Sequence, residues 1–459
     1  MKLVYSNKTI LAPMVRIGTL PMRLLCLDYG ADIVYCEELI DWKLLRSERK
    51  INDVLGTVDF VDKTDGTIVF RTCEREKDRV VLQMGTCDPE RALKAAKLVE
   101  NDVAAVDINM GCPKEFSIKG GMGVALLSDP SKAQSILRTL VNGLQCPVTC
   151  KIRVFPDCSE TINLCKGLED CGIKAIGVHG RTKQERPQHS NRNDMIKAIA
   201  NALTIPVIAN GGSKEIECFE DIDKFRRATG CSSVMIARSA EWNCSIFRKQ
   251  GKLPLDEVII SYLHYAIDYD NSPSNTKYCV QNMLRELQDT PRGRLFLETQ
   301  TLEQICDIWK IGDYCRQKQN EYRTKGLKGR VDVIPMEAKR LKIDTDVNHL
   351  HCAFLRSLYP KDTDLPKTKL LIWTRIQGWK QPSYKTIQLD KLFQSMVIVN
   401  GIKYGSTYWE KNKRWAEQGA AIVCLCLNNV IDINTLRKNG SIAAVSHCSL
   451  WYMNFEKQS

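Results

Sequence analysis

Along the first 240 residues, short apolar runs alternate with longer stretches whose apolar positions recur every three or four residues. The runs are Thr9–Val15, Asp32–Glu38, Val80–Gly85, Ala104–Gly111, Pro147–Val154, Ala175–Arg181, Pro206–Gly212 and Ser233–Ala240. Most are hydrophobic almost throughout rather than at every second position, which predicts parallel strands covered on both faces. The stretches between them, such as Glu90–Asn101 and Ser131–Leu144, place apolar residues on one side of a helix. Eight strand–helix units in that length predict an α/β fold, a closed (β/α)₈ TIM barrel. One gap is too long for a single helix. There, Asn52–Arg79 is expected to hold a β-hairpin with its turn at Thr64–Gly66.

Beyond Leu253 the period changes. Leu255–Asp270 and Thr276–Gln288 carry helical spacing and strand-like runs are scarce, so the barrel is assigned to 1–250 and a small helical domain to 251–335. The TKGLKGR and EAKRLK stretches within Tyr322–Lys342 read as poorly structured, leading into a linker and basic extension at 336–365. A second compact unit is expected at 366–428. Its order is helix Lys367–Ile376, strands Tyr384–Leu389, Phe393–Val399 and Ile402–Trp409, then helix Lys411–Cys426. Asn400-Gly401 is a strong hairpin signal between the last two strands. The tail, 429–459, is assigned no role.

Composition narrows the partners. Hydrophobic residues make up 44% and charged residues 26%, an ordinary globular balance. The net charge of +12 points to an anionic partner. Met1–Thr9 lacks the apolar core of a secretory signal, and no apolar run reaches the ~18 residues of a membrane span. The 20 cysteines are scattered through apolar runs without a CxxC pair, as expected of reduced thiols in a cytoplasmic protein. His349, His351 and Cys352 lie close together but lack a second ligand cluster, so no structural metal is expected. A monomer and no membrane association are the working expectations.

In such barrels the chemistry sits at the C-terminal ends of the strands. Those ends read Ala12-Pro13-Met14-Val15, Gln83-Met84-Gly85, Asn109-Met110-Gly111-Cys112-Pro113, Lys151-Ile152-Arg153, His179-Gly180-Arg181, Asn210-Gly211-Gly212 and Ala237-Arg238. Singly, each has a bland alternative: a core histidine, a turn, a lysine snorkelling to solvent. Jointly they place hydrogen-bonding groups on at least six of eight apolar strands, at one face. Phosphate sites in these barrels are commonly built after strands seven and eight. Gly211 and Gly212 allow a close backbone approach, and Arg238 adds a charged fork. Lys151 suits the pyrimidine edge of a reduced flavin, where negative charge accumulates, and Gln83 can meet another polar edge. One phosphate and one planar polar ring fit FMN. No GxGxxG follows a strand, so a dinucleotide-binding Rossmann domain is not indicated.

The ordered motifs LAPMVRIGTLPMR, LQMG, DINMGCPKEFSIKGGMGVALL, CKIRV, VHGR, VIANGG and MIARSA resemble those of the tRNA-dihydrouridine synthase family. The whole chain is similar to the eukaryotic branch that carries a C-terminal double-stranded-RNA-binding domain. The resemblance implies that Cys112 is catalytic. It also implies that Pro13, Met14, Val15, Gln83, Lys151, His179, Asn210, Gly211, Gly212, Ala237 and Arg238 contact FMN. NADPH is the implied reductant, and uridine-20 of the tRNA D-loop the implied target.

Reducing uracil at C5=C6 needs a hydride on one carbon and a proton on the other. A free thiol with a pKa of ~8.5 is mostly protonated at neutral pH, so Cys112 can serve as the acid. Asn109 could orient either the uracil or the flavin, and the sequence does not decide which. The Gly120–Gly123 run is expected to form a loop that closes over the base. A base in folded RNA must first leave its stack, at a cost of a few kcal/mol. At the C-terminus, the α-β-β-β-α order and the KNKRWAEQGAAIVCL helix resemble a double-stranded-RNA-binding domain. That segment carries ten Lys/Arg against three Asp/Glu, and Lys367, Lys369, Lys411, Lys413 and Arg414 are the expected RNA contacts. The glycine-proline loop of many such domains is absent between the first two strands, so a short tRNA stem suits it better than a long duplex. Two rivals stay open: a flavoenzyme acting on free pyrimidines, and a non-catalytic RNA-binding protein on a degenerate barrel.

Overall fold

The computed structural model describes residues 3–327, 346–389 and 391–442. Residues 336–345 of the expected linker and 443–459 of the tail lie outside the described residues. The described chain forms two compact units.

In the first unit, eight parallel strands close into a barrel: β1 (Thr9–Leu11), β2 (Ile33–Tyr35), β3 (Val80–Gly85), β4 (Ala105–Met110), β5 (Val148–Arg153), β6 (Ile176–His179), β7 (Val207–Asn210) and β8 (Ser233–Ile236). Each pairs in parallel with its neighbours in sequence order, and β1 pairs with β8 to complete the ring. Every residue of β3, β4, β7 and β8 is buried, which is why these segments are hydrophobic almost throughout. The observed strands stop short of the sequence runs. Leu11, His179 and Asn210 end their ladders, and the residues after them turn into loops. Among the described residues, no helix is long and apolar enough to cross a membrane.

The insertion between β2 and β3 is larger than the expected hairpin. Ser47–Asn52, Thr57–Asp62 and Ile68–Cys73 form a three-stranded antiparallel sheet. The expected turn is present, with Gly66 in the left-handed region at φ 72°. The first strand, Ser47–Asn52, is charged and largely exposed. It is held by backbone ladder bonds rather than by an apolar face, so hydrophobic patterning has nothing to detect. Arg23 fastens this insertion to the loop after β1. Its guanidinium, 1% exposed, forks onto Glu76 at 2.6 and 2.8 Å and donates to the Gly18 and Arg71 carbonyls.

The helical region does not stay together. Helix Leu255–Asp268 and the segment from Tyr314 belong to the barrel unit, where Tyr322 donates to the Asp268 carbonyl at 2.8 Å. Residues Leu284–Asp313 belong to the second unit.

That second unit contains the expected helix Pro366–Ile376, strands β10 (Ser383–Leu389), β11 (Leu392–Val399) and β12 (Ile402–Ser406), and helix Lys413–Leu427. The hairpin turn has φ 48° at Asn400 and 80° at Gly401, both left-handed as a tight two-residue turn requires. A further strand, β9 (Val347–Leu350), lies in the segment expected to be an extension and pairs in parallel with β12. His349 and His351 are used here structurally, against the Gly405 carbonyl and the Thr407 hydroxyl. The core packs Val397, Val399 and Tyr404 against Ala420–Leu425.

Helix Pro291–Glu298 supplies this unit with a buried ion pair. Arg294 and Glu410, 0% and 2% exposed, meet at 2.5 Å. Arg294 also donates to the Phe354 carbonyl and lies over the Trp415 ring. Burial already raises the Glu410 carboxyl to about 8 against the pull of Arg294, so without Arg294 it is held protonated. Arg294→Ala is therefore expected to destabilise this unit by about 1–3 kcal/mol, through a buried polar group left without its partner, whereas replacing both partners with apolar residues of similar volume should cost less. Urea unfolding of the full chain, followed by tryptophan emission, checks this.

Candidate active site

The C-terminal strand ends surround a cavity of about 160 Å³, partly open to solvent. It is lined by Pro13, Val15, Gln83, Asn109, Cys112, Lys151 and His179, all expected, by Gly111 and Arg153, which belong to the expected strand ends without having been assigned a contact, and by Glu38. Met14, Asn210, Gly211, Gly212, Ala237 and Arg238 stand outside this lining, at the ends of β1, β7 and β8.

Cys112 sits in the loop after β4, held from two sides. The Asn109 side-chain oxygen accepts the amide N–H groups of both Gly111 and Cys112 at 2.9 Å. Asn109 thus positions the loop that carries the thiol, a role the sequence left open. On the other side, Gly123 has φ 59°, and a Cβ there would come 2.6 Å from the Cys112 carbonyl oxygen. The Gly120–Gly123 run is therefore not a free flap: it joins a short helix, Glu115–Lys119, to a 3₁₀ turn, Gly123–Ser128, and packs on Cys112. Burial, and then the negative charge of Glu38, push the thiol above its ordinary value, which keeps it protonated at neutral pH.

The floor is a buried hydrogen-bond chain. Thr149 and Gln83 both donate to Asp107, at 2.7 and 2.8 Å, and Asn109 donates to Gln83 at 3.3 Å. Burial raises Asp107 to about 6, against the lowering effects of Thr149, Gln83 and Lys151. Gln83 therefore has one N–H left for a ligand.

One wall is cationic. Desolvation, then the neighbouring Arg153 charge, lower Lys151 to about 8, against the pull of Asp107. Its stem lies on Gly177, whose added Cβ would meet Lys151 Cγ at 3.2 Å. His179 is held well below its ordinary value, first by burial and then by Lys151, Arg153, Arg181 and Arg238, so the imidazole is neutral. Arg181 donates to His179 Nε2 at 3.1 Å, which leaves the proton on Nδ1. Arg181 also donates to the Gly211 carbonyl at 2.8 Å.

Gly211 has φ 108°, and a Cβ there would lie 2.1 Å from Asn191 Oδ1 and 2.7 Å from the His179 ring. No other residue fits. The Asn210 side chain is spent on the scaffold, donating to the Met235 carbonyl at 2.8 Å across β7 and β8. Ala237 precedes the short helix that begins at Arg238.

Glu38, Asp107, Arg153 and Arg181 had been given no role from the sequence. Glu38 had a signal, since it is the polar end of the second apolar run. Arg153 and Arg181 also close strand-end triplets. Asp107 is interior to a strand, and only its Thr149 and Gln83 partners distinguish it.

In the second unit the five expected RNA contacts differ in availability. Lys367 pairs with Glu417 and lies 4.5 Å from the Tyr384 ring centre, and Lys411 pairs with Asp289 at 2.9 Å. Arg414 faces Asp362 at 3.8 Å with both side chains largely exposed. Lys369 and Lys413 are exposed, and Lys413 opens the helix that Asn412 caps by accepting the Trp415 amide.

Residues 10–295 match the family described as Dihydrouridine synthase (Dus). A tRNA-dihydrouridine(20) synthase [NAD(P)+] of Schizosaccharomyces pombe is 40% identical over 61% of this chain and 60% of its own length. The Saccharomyces cerevisiae protein of the same description is 36% identical over 61% of this chain and 78% of its own. A solved tRNA-dihydrouridine(20) synthase dsRBD domain is 44% identical, covering 18% of this chain and 88% of that one, with a TM-score of 0.17. With most of the barrel matched in order, the chain belongs to the dihydrouridine synthase family.

Proposed function

We propose that this protein is a tRNA-dihydrouridine synthase that reduces the C5=C6 bond of a D-loop uridine, uridine-20 by analogy with its relatives, using FMN and NADPH. The observation that carries it is the cavity in which the Cys112 thiol faces a wall bearing Lys151, Arg153 and neutral His179. The residues fit FMN. Gly211 packs so closely on Asn191 and His179 that it admits no side chain, which leaves its backbone as the group presented at the end of β7, and the charge of Arg238 acts on the same His179. Lys151, the free N–H of Gln83 and Nδ1 of His179 would hold the polar edges of the ring. Bound FMN supplies the hydride, and NADPH restores it.

The protein's own residues do the rest. Cys112 Sγ gives its proton to the uracil carbon opposite the one that receives hydride. Asn109 and Gly123 fix the sulfur, and the positive wall favours the polar oxygens of an electron-rich ring. The second unit, with its exposed Lys369, Lys413 and Arg414, holds the RNA by its phosphates while the uridine leaves its stack.

Incubating purified protein with unmodified tRNA and NADPH, then mapping dihydrouridine, tests the function. Reduction of free uracil at a comparable rate would favour the free-pyrimidine rival instead. Lys151→Ala and Arg238→Ala are each expected to lose most of the flavin on gel filtration, read from visible absorbance. Because Lys151 titrates near about 8, FMN affinity should weaken as the pH is raised through that value, where the ammonium loses its proton. Full flavin occupancy in both variants would refute this placement.

A further inference from the structure

The cavity holds one acidic side chain that the proposed reaction does not use. Glu38 precedes Leu39–Ile40, which pair with Met84–Gly85 at the end of β3. That pairing seats the carboxyl over Gly85, where a Cβ would come 2.8 Å from Oε1. Oε1 is buried and has no hydrogen-bond partner among the described residues, an unfavourable arrangement for a neutral group and more so for a charged one. Cys112 lines the same cavity, its loop fixed by Asn109 and Gly123.

We propose that Glu38 is the proton partner of Cys112, returning a proton to its sulfur after each reduction. This rests on Cys112 being the proton donor. As uracil takes the proton, the Cys112 S–H bond breaks and a thiolate remains. Beside that new negative charge the Glu38 carboxylate takes a proton from water at the cavity mouth. Its O–H bond then breaks as the S–H bond reforms, which returns both groups to their starting charge. One solvent proton is consumed per uridine, and no electrons pass through either group.

The electrostatics run in the same direction. Burial raises Glu38 above the ordinary carboxylate range, only partly offset by Cys112 and Lys114. Burial and the Glu38 charge raise Cys112, while the Lys114 amide and Ser117 lower it. Lys151 and Arg153 face both groups across the cavity. A proton on the carboxyl is therefore driven toward a thiolate rather than away from it.

The test compares full-length, flavin-loaded Glu38→Gln with the unmodified protein. Iodoacetamide labelling of Cys112, followed by mass spectrometry of its peptide from about pH 6 to about pH 10, reads the thiol directly. Without the carboxylate the labelling curve should move to lower pH, with several-fold faster modification near pH ~8. A single turnover by enzyme reduced beforehand should keep its rate, while steady-state turnover falls by about tenfold. Glu38→Asp, which keeps a carboxyl, should restore both readouts in large part and guards against a misfolded glutamine variant. An unchanged labelling curve overturns the pairing. A shifted curve with unchanged steady-state turnover overturns the reloading role. If instead Cys112→Ala forms product normally, the proton-donor assignment fails, and the labelling curve still reports whether the two groups are coupled.

Discussion

Cys112→Ala should lower dihydrouridine formation by about 10²–10⁴-fold, the usual contribution of a placed general acid, while flavin and tRNA binding change by less than about twofold. The thiol is half-buried and its loop is held through backbone atoms: the Asn109 oxygen takes the Gly111 and Cys112 amides, and Gly123 packs on the Cys112 carbonyl. None of these interactions involves the sulfur, so alanine should leave the loop in place. Flavin oxidation by tRNA under single-turnover conditions, beside visible absorbance and filter binding, separates chemistry from binding. Product at the unmodified rate would show that the proton comes from elsewhere. Cys112→Ser should recover little, because a hydroxyl gives up its proton far less readily than a thiol.

The second large effect concerns RNA affinity. Changing Lys413 and Arg414 together to alanine should weaken tRNA binding by roughly tenfold near ~0.15 M salt. It should also flatten the dependence of log affinity on log salt by between one and two units, about 0.7–0.9 for each phosphate no longer neutralised. NADPH oxidation in the absence of RNA should not change. Lys413 stands exposed at the start of its helix, and the Arg414–Asp362 pair is long and solvated, so both cations are available to phosphate. Lys367 and Lys411 are already engaged by Glu417 and Asp289. Changing that pair to alanine should cost less affinity and more stability. Filter binding across a salt series distinguishes the two pairs, and equal effects would contradict the ranking.

The barrel was legible because its signals are local. A strand buried on both faces is hydrophobic almost throughout, a tight hairpin turn puts left-handed residues at Asn400 and Gly401, and polar residues gather at the strand ends around the cavity. From such rules the sequence alone determined the eight strands, the C-terminal α-β-β-β-α unit, and the polar strand ends, among them Gln83, Cys112, Lys151 and His179, that line one cavity. Tertiary structure decided what depends on partners distant in the chain. Ser47–Asn52 became a strand through ladder bonds to a neighbour rather than through its own composition. Leu284–Asp313 groups with the C-terminal unit, where Arg294 meets Glu410, more than a hundred residues later. Asn109 was revealed as the clamp of the Cys112 loop, and Glu38 as the carboxyl beside it, only once β2, β3 and β4 stood side by side. Periodicity records which face of an element is covered. Which charged side chain meets which is set by packing in three dimensions, where burial raises the cost of any group left without a partner.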